Sequence, residues 1–373
     1  MRPYNIAIIA GQLVVGGAER QLYLWLANLD RDRFNPVVVT LHPDCGDYWE
    51  APIRSLGVPL LPISRRKNPL GRLLEITRVL RPYKPHLIHG WHSFASPYAG
   101  AAAMLLGARA SLGSLRGSFD AYTRHRAQSV LTEWLTDGIL VNSESAAIRL
   151  ARSGRRRGHR IYTVPNAVED RTEERARARA NLAAKYSINP ERIWVGSTGR
   201  FESSKRFDLL LDALASLRGR NENVQLVLIG YGEGMETLRS RAESLGVADR
   251  VTFTGEDAGA RLWIGALDIF CFLSEDEGLP NAVMEAAAAG VPVVAWRTSF
   301  LEELLENGRS AILVPAGDLG ALDAALRTLI HEPHTRHELG RVGRTHVLEN
   351  FSVGRFVQGI TSTYEELLTG FSG

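Results

Sequence analysis

Short runs of aliphatic and β-branched residues alternate with longer stretches whose apolar positions recur every three or four residues. Ile6–Ala10 predicts a strand, Glu19–Leu29 a helix and Pro36–Leu41 a second strand. Leu70–Leu80 predicts a helix that stops at Arg81-Pro82, and Ala-rich Tyr98–Leu106 predicts another that packs inside. Strands are expected at Leu87–His89 and Ile139–Asn142, with a helix from Ser143. Residues 166–190, rich in Arg, Glu and Ala, predict a linker and a surface helix. The pattern then restarts. Strands Trp194–Ser197, Gln225–Ile229, Val251–Thr254, Ile269–Phe272 and Val291–Ala295 are interleaved with helices Phe207–Leu217, Gly234–Ser244 and an Ala-rich helix starting near Pro280 or Asn281. The last stretch, Phe351–Leu368, has apolar residues at 353, 356, 357, 360, 364, 367 and 368, the spacing of a helix with one buried face.

This alternation implies parallel sheets covered by helices on both faces. Its repetition predicts an α/β chain of two doubly wound, Rossmann-like domains, at 1–165 and 166–350, followed by a helix in 351–373 that returns to the first domain. In open α/β sheets ligands sit at the carboxyl ends of strands. Each domain is therefore expected to offer loops to a shared cleft.

Composition adds limits. Hydrophobic residues make up 45% and charged residues 23%, which excludes a disordered chain. No apolar run approaches the roughly 20 residues of a membrane span. The start of the chain faintly resembles a leader, but a helical pattern directly after Gly16-Gly17 makes it a buried strand and loop. Cys45 and Cys271 have neither metal nor redox spacing, so they read as inert thiols of a reducing, cytoplasmic compartment.

Charge changes the picture more. Residues 1–165 carry 22 Lys and Arg against 11 Asp and Glu, a net +11, whereas residues 166–373 carry 22 against 30, a net −8. Arg65-Arg66-Lys67 and Arg155-Arg156-Arg157 are the densest basic runs. They predict attraction of the first domain to an anionic membrane face or an anionic acceptor. Nucleic acid is disfavoured because no aromatic residues interleave with the basic runs.

The most informative chemistry lies in Ser274–Gly290, SEDEGLPNAVMEAAAAG, followed by Val-Pro-Val-Val-Ala. A strand is expected to end just before it and a helix to open near Pro280, with Pro in a tolerated first-turn position. Glu277 falls on the loop and Glu285 about one turn inside the helix. A helix N-terminus suits a diphosphate, and two flanking carboxylates can accept hydrogen bonds from sugar hydroxyls. Arg200 and Lys205 stand on the loop after the first strand of the second domain, where two cations could neutralise a leaving diphosphate. Gly230-Tyr231-Gly232-Glu233-Gly234 follows another strand. Its third glycine is one residue early for the dinucleotide fingerprint, which argues against a Rossmann oxidoreductase. In the first domain Gly16-Gly17 lets backbone approach a ligand closely.

The segment Ser274–Val294 resembles the signature of the retaining glycosyltransferases of family 4, which have the GT-B fold. The resemblance covers nearly the whole chain, most strongly 190–320. It implies transfer of a sugar from a nucleoside-diphosphate donor, a UDP- or GDP-sugar, to a saccharide or lipid-linked acceptor, with no other cofactor. It implies that Glu277 contacts the transferred sugar and Glu285 the donor ribose, with backbone around Leu279, Pro280 and Asn281 cradling the phosphates. Arg200 and Lys205 would face the diphosphate. Gly230 and Tyr231 would form a wall of the nucleotide pocket, and Thr254 would border the base. Gly17 belongs to the loop that reaches over the donor, and His92, in His89-Gly-Trp91-His92-Ser93, is the equivalent of a histidine near the sugar, with His89 facing the core. Arg116 is a further cleft candidate. Arg206 stands where the family often has Gly, and Ala167 replaces the Gly of a Pro-Asn-Gly hinge. No Asp-x-Asp metal motif is expected anywhere in the chain, so Arg200 and Lys205 would do a metal's work and no metal is expected. A nucleotide-sugar epimerase of similar architecture lacks this segment. A non-catalytic nucleotide-sugar binder is the other alternative.

Overall fold

The computed structural model describes residues 3–42, 47–64, 68–153, 160–170, 175–220, 222–257 and 259–370. Cys45 and the two basic runs at 65–67 and 155–157 lie outside them. The chain divides into two units, residues 1–167 with 353–373, and residues 168–352.

The first unit is built on a parallel seven-stranded sheet. Its strands are β1 (Tyr4–Ala10), β2 (Phe34–Thr40), β3 (Leu60–Pro62), β4 (Leu87–Gly90), β5 (Ala110–Leu115), β6 (Gly138–Val141) and β7 (Arg160–Thr163). Their order across the sheet is β3-β2-β1-β4-β5-β6-β7. Ile6, Ile8 and Leu87 point into a core shared with Trp25 and Trp91, whereas Ala7, Ile9 and Ile88 point into the opposite one. That alternation across a sheet buried on both faces is what near-continuous apolar strands require. Helix Val353–Thr369 belongs to this unit and buries Phe356, Ile360, Tyr364, Leu367 and Leu368 in the first of these cores. Its apolar stripe is the one the spacing predicts.

The second unit has six parallel strands, β8 (Ile193–Thr198), β9 (Val224–Ile229), β10 (Val251–Phe253), β11 (Ile269–Phe272), β12 (Val293–Trp296) and β13 (Ile312–Val314), ordered β10-β9-β8-β11-β12-β13. β12 starts two residues later than expected, after Pro292, which has no N–H to give a ladder.

Both sheets change winding direction beside their first strand, at β1/β4 and at β8/β11. Such a switch point parts the loops at the strands' carboxyl ends and leaves a crevice there. The loops after β1, β4, β8 and β11 carry Gly17, His92, Arg200 with Lys205, and Glu277. Topology alone therefore selects the four loops that chemistry had selected.

Candidate active site

In the second unit the loop after β8 runs through Gly199-Arg200-Phe201 and locks onto the glycine turn after β9. Gly199 N donates to Ile229 O at 3.0 Å, Phe201 N to Tyr231 O at 2.7 Å and Gly234 N to Phe201 O at 3.0 Å. A Cβ on Gly230 would lie 2.0 Å from Gly199 O, and one on Gly232 would lie 2.7 Å from Phe201 N. Gly230 also has φ of +140°, a region L side chains avoid. These glycines serve loop-on-loop packing, which explains why their spacing misses the dinucleotide pattern. Thr254 fastens the same turn from the end of β10, its Oγ1 accepting from Gly230 N at 3.2 Å. Tyr231 keeps its ring half exposed while its carbonyl serves Phe201.

Past Phe201 the loop makes a single 3-10 turn, Ser203–Lys205, and Arg206 takes a left-handed conformation with φ 53°. This is the position where the family often has glycine. Here the strained arginine holds its guanidinium between Asp208 and Glu275, 3.3 and 3.4 Å away.

The turn delivers Lys205 to Glu277. Lys205 Nζ pairs with Glu277 Oε1, and Ser274 Oγ donates to the same oxygen at 3.2 Å. The two side chains are only 22% and 20% exposed, so the pair is sheltered from water on most sides. Glu277 thus has one oxygen fixed by a cation and a hydroxyl. Arg200 is different: it is exposed and reaches Glu202 at 3.2 Å.

Helix Asn281–Ala288 starts beyond Gly278-Leu279-Pro280, with Pro280 as its N-cap and no side chain capping it. Leu279 and Pro280 are buried, and Asn281 and Glu285 are half-buried. Glu285 is the helix's fifth residue, about one turn in. The first turn of a helix carries positive partial charge, which favours an anion at its start. Lys205, Glu277 and this helix start are held on the adjacent carboxyl ends of β8 and β11. The group combines a cation, a carboxylate and a helix N-terminus, which can bind a diphosphate and a polyol together.

In the first unit the loop after β1 meets the loop after β4. His92 Nδ1 accepts from Gly11 N at 3.2 Å, and its Nε2 faces Glu19 Oε1 at 3.0 Å. An acceptor at Nδ1 places the proton on Nε2, which therefore donates to Glu19. Both nitrogens of His92 are thus engaged in tying the glycine loop to β4. Gly16 precedes helix Gly17–Ala27 without a side-chain cap, and a Cβ there would meet Glu19 Oε2 at 2.1 Å. Gly17 opens this helix.

His89 is fully buried between Tyr364 Oη and Ser114 Oγ, both at 2.7 Å. Burial, and secondarily the Arg116 charge, hold it well below the usual imidazole range, so it is neutral. Arg116 lies at the end of β5 with its guanidinium 3.9 Å from the Trp91 ring centroid and 5.9 Å from that of Phe356. Among the described residues none accepts a hydrogen bond from its Nε, Nη1 or Nη2. Burial pushes it down to about 9. The sequence singled out Arg116 but gave no sign of this unpaired state.

Ala167, where the family has a hinge glycine, keeps a negative φ. The Gln21 side-chain amide brackets it, donating to Ala167 O and accepting from Ala167 N, both at 2.8 Å. The chain does contain one Asp-x-Asp, Asp30-Arg31-Asp32, and it is a turn at the amino end of β2, with Asp32 N donating to Asp30 Oδ1 at 3.0 Å. Cys271 is in the core of β11, its thiol pushed up to about 12 by burial. Both features are structural.

Two family models match. The model described as Glycosyl transferases group 1 covers residues 178–346, and Glycosyltransferase Family 4 covers 15–171. This chain is a family 4, group 1 glycosyltransferase dependent on a nucleoside-diphosphate sugar. It is 28% identical over 358 residues to the lipopolysaccharide core biosynthesis glycosyltransferase LpsE of Rhizobium meliloti (strain 1021), covering 95% of this chain and 96% of that one. It is 32% identical over 192 residues to a GDP-mannose-dependent alpha-(1-6)-phosphatidylinositol monomannoside mannosyltransferase of Mycobacterium tuberculosis, about half of each chain. The fold matches HepE of Anabaena in complex with UDP and glucose, with a TM-score of 0.84 at 19% identity, covering 97% of this glycosyltransferase and 100% of HepE. No helix among the described residues is long and apolar enough to cross a membrane.

Proposed function

We propose that this glycosyltransferase moves a sugar from a UDP- or GDP-sugar to a saccharide or lipid-linked acceptor, with retention and without a metal, in the assembly of a surface polysaccharide or glycolipid. The observation that carries the reading is the sheltered Lys205–Glu277 pair beside the start of helix Asn281–Ala288. The donor diphosphate would lie on the helix N-terminus and share Lys205 with Glu277, Arg200 turning from Glu202 to meet it. Charge that develops on the leaving diphosphate is then stabilised in place. Glu277 would use its second oxygen for a hydroxyl of the transferred sugar, and Glu285 would take the ribose. With the leaving phosphate taking the acceptor proton, attack on the same face would need no separate general base. The names of the relatives support surface-glycan and glycolipid acceptors. The net charge of +11 on residues 1–165 supports work at the cytoplasmic face of an anionic membrane.

The test is transfer from UDP-glucose and from GDP-mannose to a saccharide acceptor with excess EDTA present, followed by NMR of the new anomeric centre. Retained configuration at undiminished rate is expected. An inverted product, or activity lost to EDTA and restored by a divalent cation, refutes the corresponding part. Sugar-isomer formation without acceptor would instead favour an epimerase.

A further inference from the structure

The loops after β8 and β11 are tied together by consecutive residues of the first. Ser274 Oγ lies 3.4 Å from Ser204 O and 3.2 Å from Glu277 Oε1. A hydroxyl has one proton, so it serves one of these acceptors at a time. Lys205 Nζ pairs with Glu277, and Arg206 Nη1 donates to Glu275 Oε1 at 3.4 Å. Ser204, Lys205 and Arg206 of one loop therefore meet Ser274, Glu277 and Glu275 of the other.

Arg206 is the unusual member of this set. Its φ of 53° and ψ of 38° lie in the left-handed region, which glycine occupies freely and an arginine does not. The left-handed turn leads straight into helix Phe207–Gly219, and a glycine would make the same turn. The backbone therefore gives no reason for an arginine here, and the side chain must. Asp208 sets its direction: Nε and Nη2 donate to the two carboxylate oxygens at 3.3 and 3.4 Å, which leaves Nη1 for Glu275. A planar guanidinium held along one edge points its remaining nitrogen in a fixed direction. Exposed ion pairs add little to stability, and Arg206 and Glu275 are 34% and 54% exposed. Backbone strain kept for a contact that stabilises the fold so little points to the site beside it.

We infer that Arg206 is a positioning residue, which through Glu275 keeps the Glu277 loop in register while the donor diphosphate draws Lys205 away from Glu277. Before the donor binds, Lys205 holds Glu277 directly and Arg206 adds little. Once a diphosphate shares Lys205, that hold weakens, whereas Arg206 stays committed to Asp208 and Glu275. Glu275 is two residues from Glu277 on the same loop, so fixing it limits where Glu277 can go. Orientation of the carboxylate toward the sugar then survives the step that loosens its first tie. The inference rests on the proposed roles of Lys205 and Glu277 toward the donor.

The experiment is hydrogen exchange of the full chain, read in peptides covering residues 274–285, with and without saturating UDP or GDP, in wild type, Arg206→Gly, Arg206→Lys and Glu275→Gln. With nucleotide bound, Arg206→Gly and Glu275→Gln should exchange about fivefold faster than wild type, the worth of one exposed ion pair. Without nucleotide they should match wild type, and helix Phe207–Gly219 should stay protected because glycine suits the left-handed turn. Arg206→Lys keeps the charge and should fall between. In transfer assays both charge-removing variants should lose about fivefold in kcat with donor KM less altered, and the double variant should lose no more than either alone. A change in exchange that does not depend on nucleotide makes the role structural and overturns the inference. So does a fall in nucleotide affinity of about tenfold or more, which would make Arg206 a phosphate contact, and so do exchange and turnover like wild type. Lys205→Ala and Glu277→Ala separate this role from the function beneath it. If they transfer at the wild-type rate, or if wild type binds neither nucleotide, the proposed site fails and this role with it; if they collapse while Arg206→Gly is normal, the positioning role alone fails.

Discussion

Arg116 is the group whose energy the fold leaves most exposed to test. Its guanidinium is buried with no hydrogen-bond acceptor among the described residues, and burial takes it from 12.5 to about 9. A fall of about 3.5 pH units at 1.36 kcal/mol each corresponds to roughly 5 kcal/mol against the charged form. Stacking on Trp91 at 3.9 Å returns about 2 kcal/mol. About 3 kcal/mol is then uncompensated. Arg116→Met keeps a long side chain between Trp91 and Phe356 and removes the charge, so the first unit should become more stable by about 1–3 kcal/mol. A two-unit chain does not melt as one state, so the readout is hydrogen exchange in peptides from β4 to β6, which report local opening of this sheet. Slower exchange in the variant is expected, with peptides from β8 to β13 unchanged. A variant that opens more readily, by 1 kcal/mol or more, would show that the guanidinium is satisfied in solution, and the reasoning would be wrong.

Other consequences follow from the same geometry. His89 is held well below 6.5 by burial, so the unfolded chain takes up a proton that the folded one refuses. Stability is therefore lost as pH falls below about 6.5, by up to ~1.4 kcal/mol per pH unit, and urea midpoints of His89→Asn against wild type should diverge less at acid pH than at pH 7.5. Gly230→Ala places a methyl 2.0 Å from Gly199 O at a φ of +140°, which should cost ~3 kcal/mol or more and abolish the thermal shift given by UDP. Unchanged donor binding would show that the two loops move freely. Lys205→Ala should lower turnover by about 100-fold or more with KM for the donor altered less, and a wild-type rate would remove Lys205 from the chemistry.

The doubly wound pattern was legible because the strands at each switch point, β1 and β4, β8 and β11, carry short apolar runs that lead into a loop and a helical pattern. β5 was not. Its Ser111, Gly113 and Ser114 read as polar, yet all are buried. Ser111 Oγ donates to Asp137 Oδ2 at 2.8 Å, Ser114 N donates to Ser96 Oγ at 2.9 Å, and a Cβ on Gly113 would come within 2.8 Å of Thr132 Cγ2. Small polar residues let two helices sit close to this strand, and no periodicity along the strand reports that. β3, β7 and β13, of three or four residues, are too short to show a period at all. The unpaired state of Arg116 was likewise invisible, because it depends on Trp91 and Phe356 arriving from remote parts of the chain.

The pair of glutamates behaves differently from either case. Glu277 and Glu285 were legible as a spacing on a loop and a helix start, and that much follows from local rules. What the spacing could not contain is the asymmetry between them. Glu277 has one oxygen taken by Lys205 and Ser274, from the loop after the neighbouring strand and from its own loop, while Glu285 rides on a helix whose start has no side-chain cap. A carboxylate with one oxygen fixed accepts a hydroxyl from a single direction, so Glu277 can orient a sugar and not merely bind it. Lys205 is committed to the same pair, so a diphosphate that recruits it also alters the charge felt by Glu277. Donor binding and sugar orientation are thereby coupled through one ion pair. Glu277→Gln, which keeps the hydrogen bond from Ser274 and lets Lys205 go, should consequently tighten or preserve binding of UDP while slowing transfer, a split that loss of a simple binding contact would not produce.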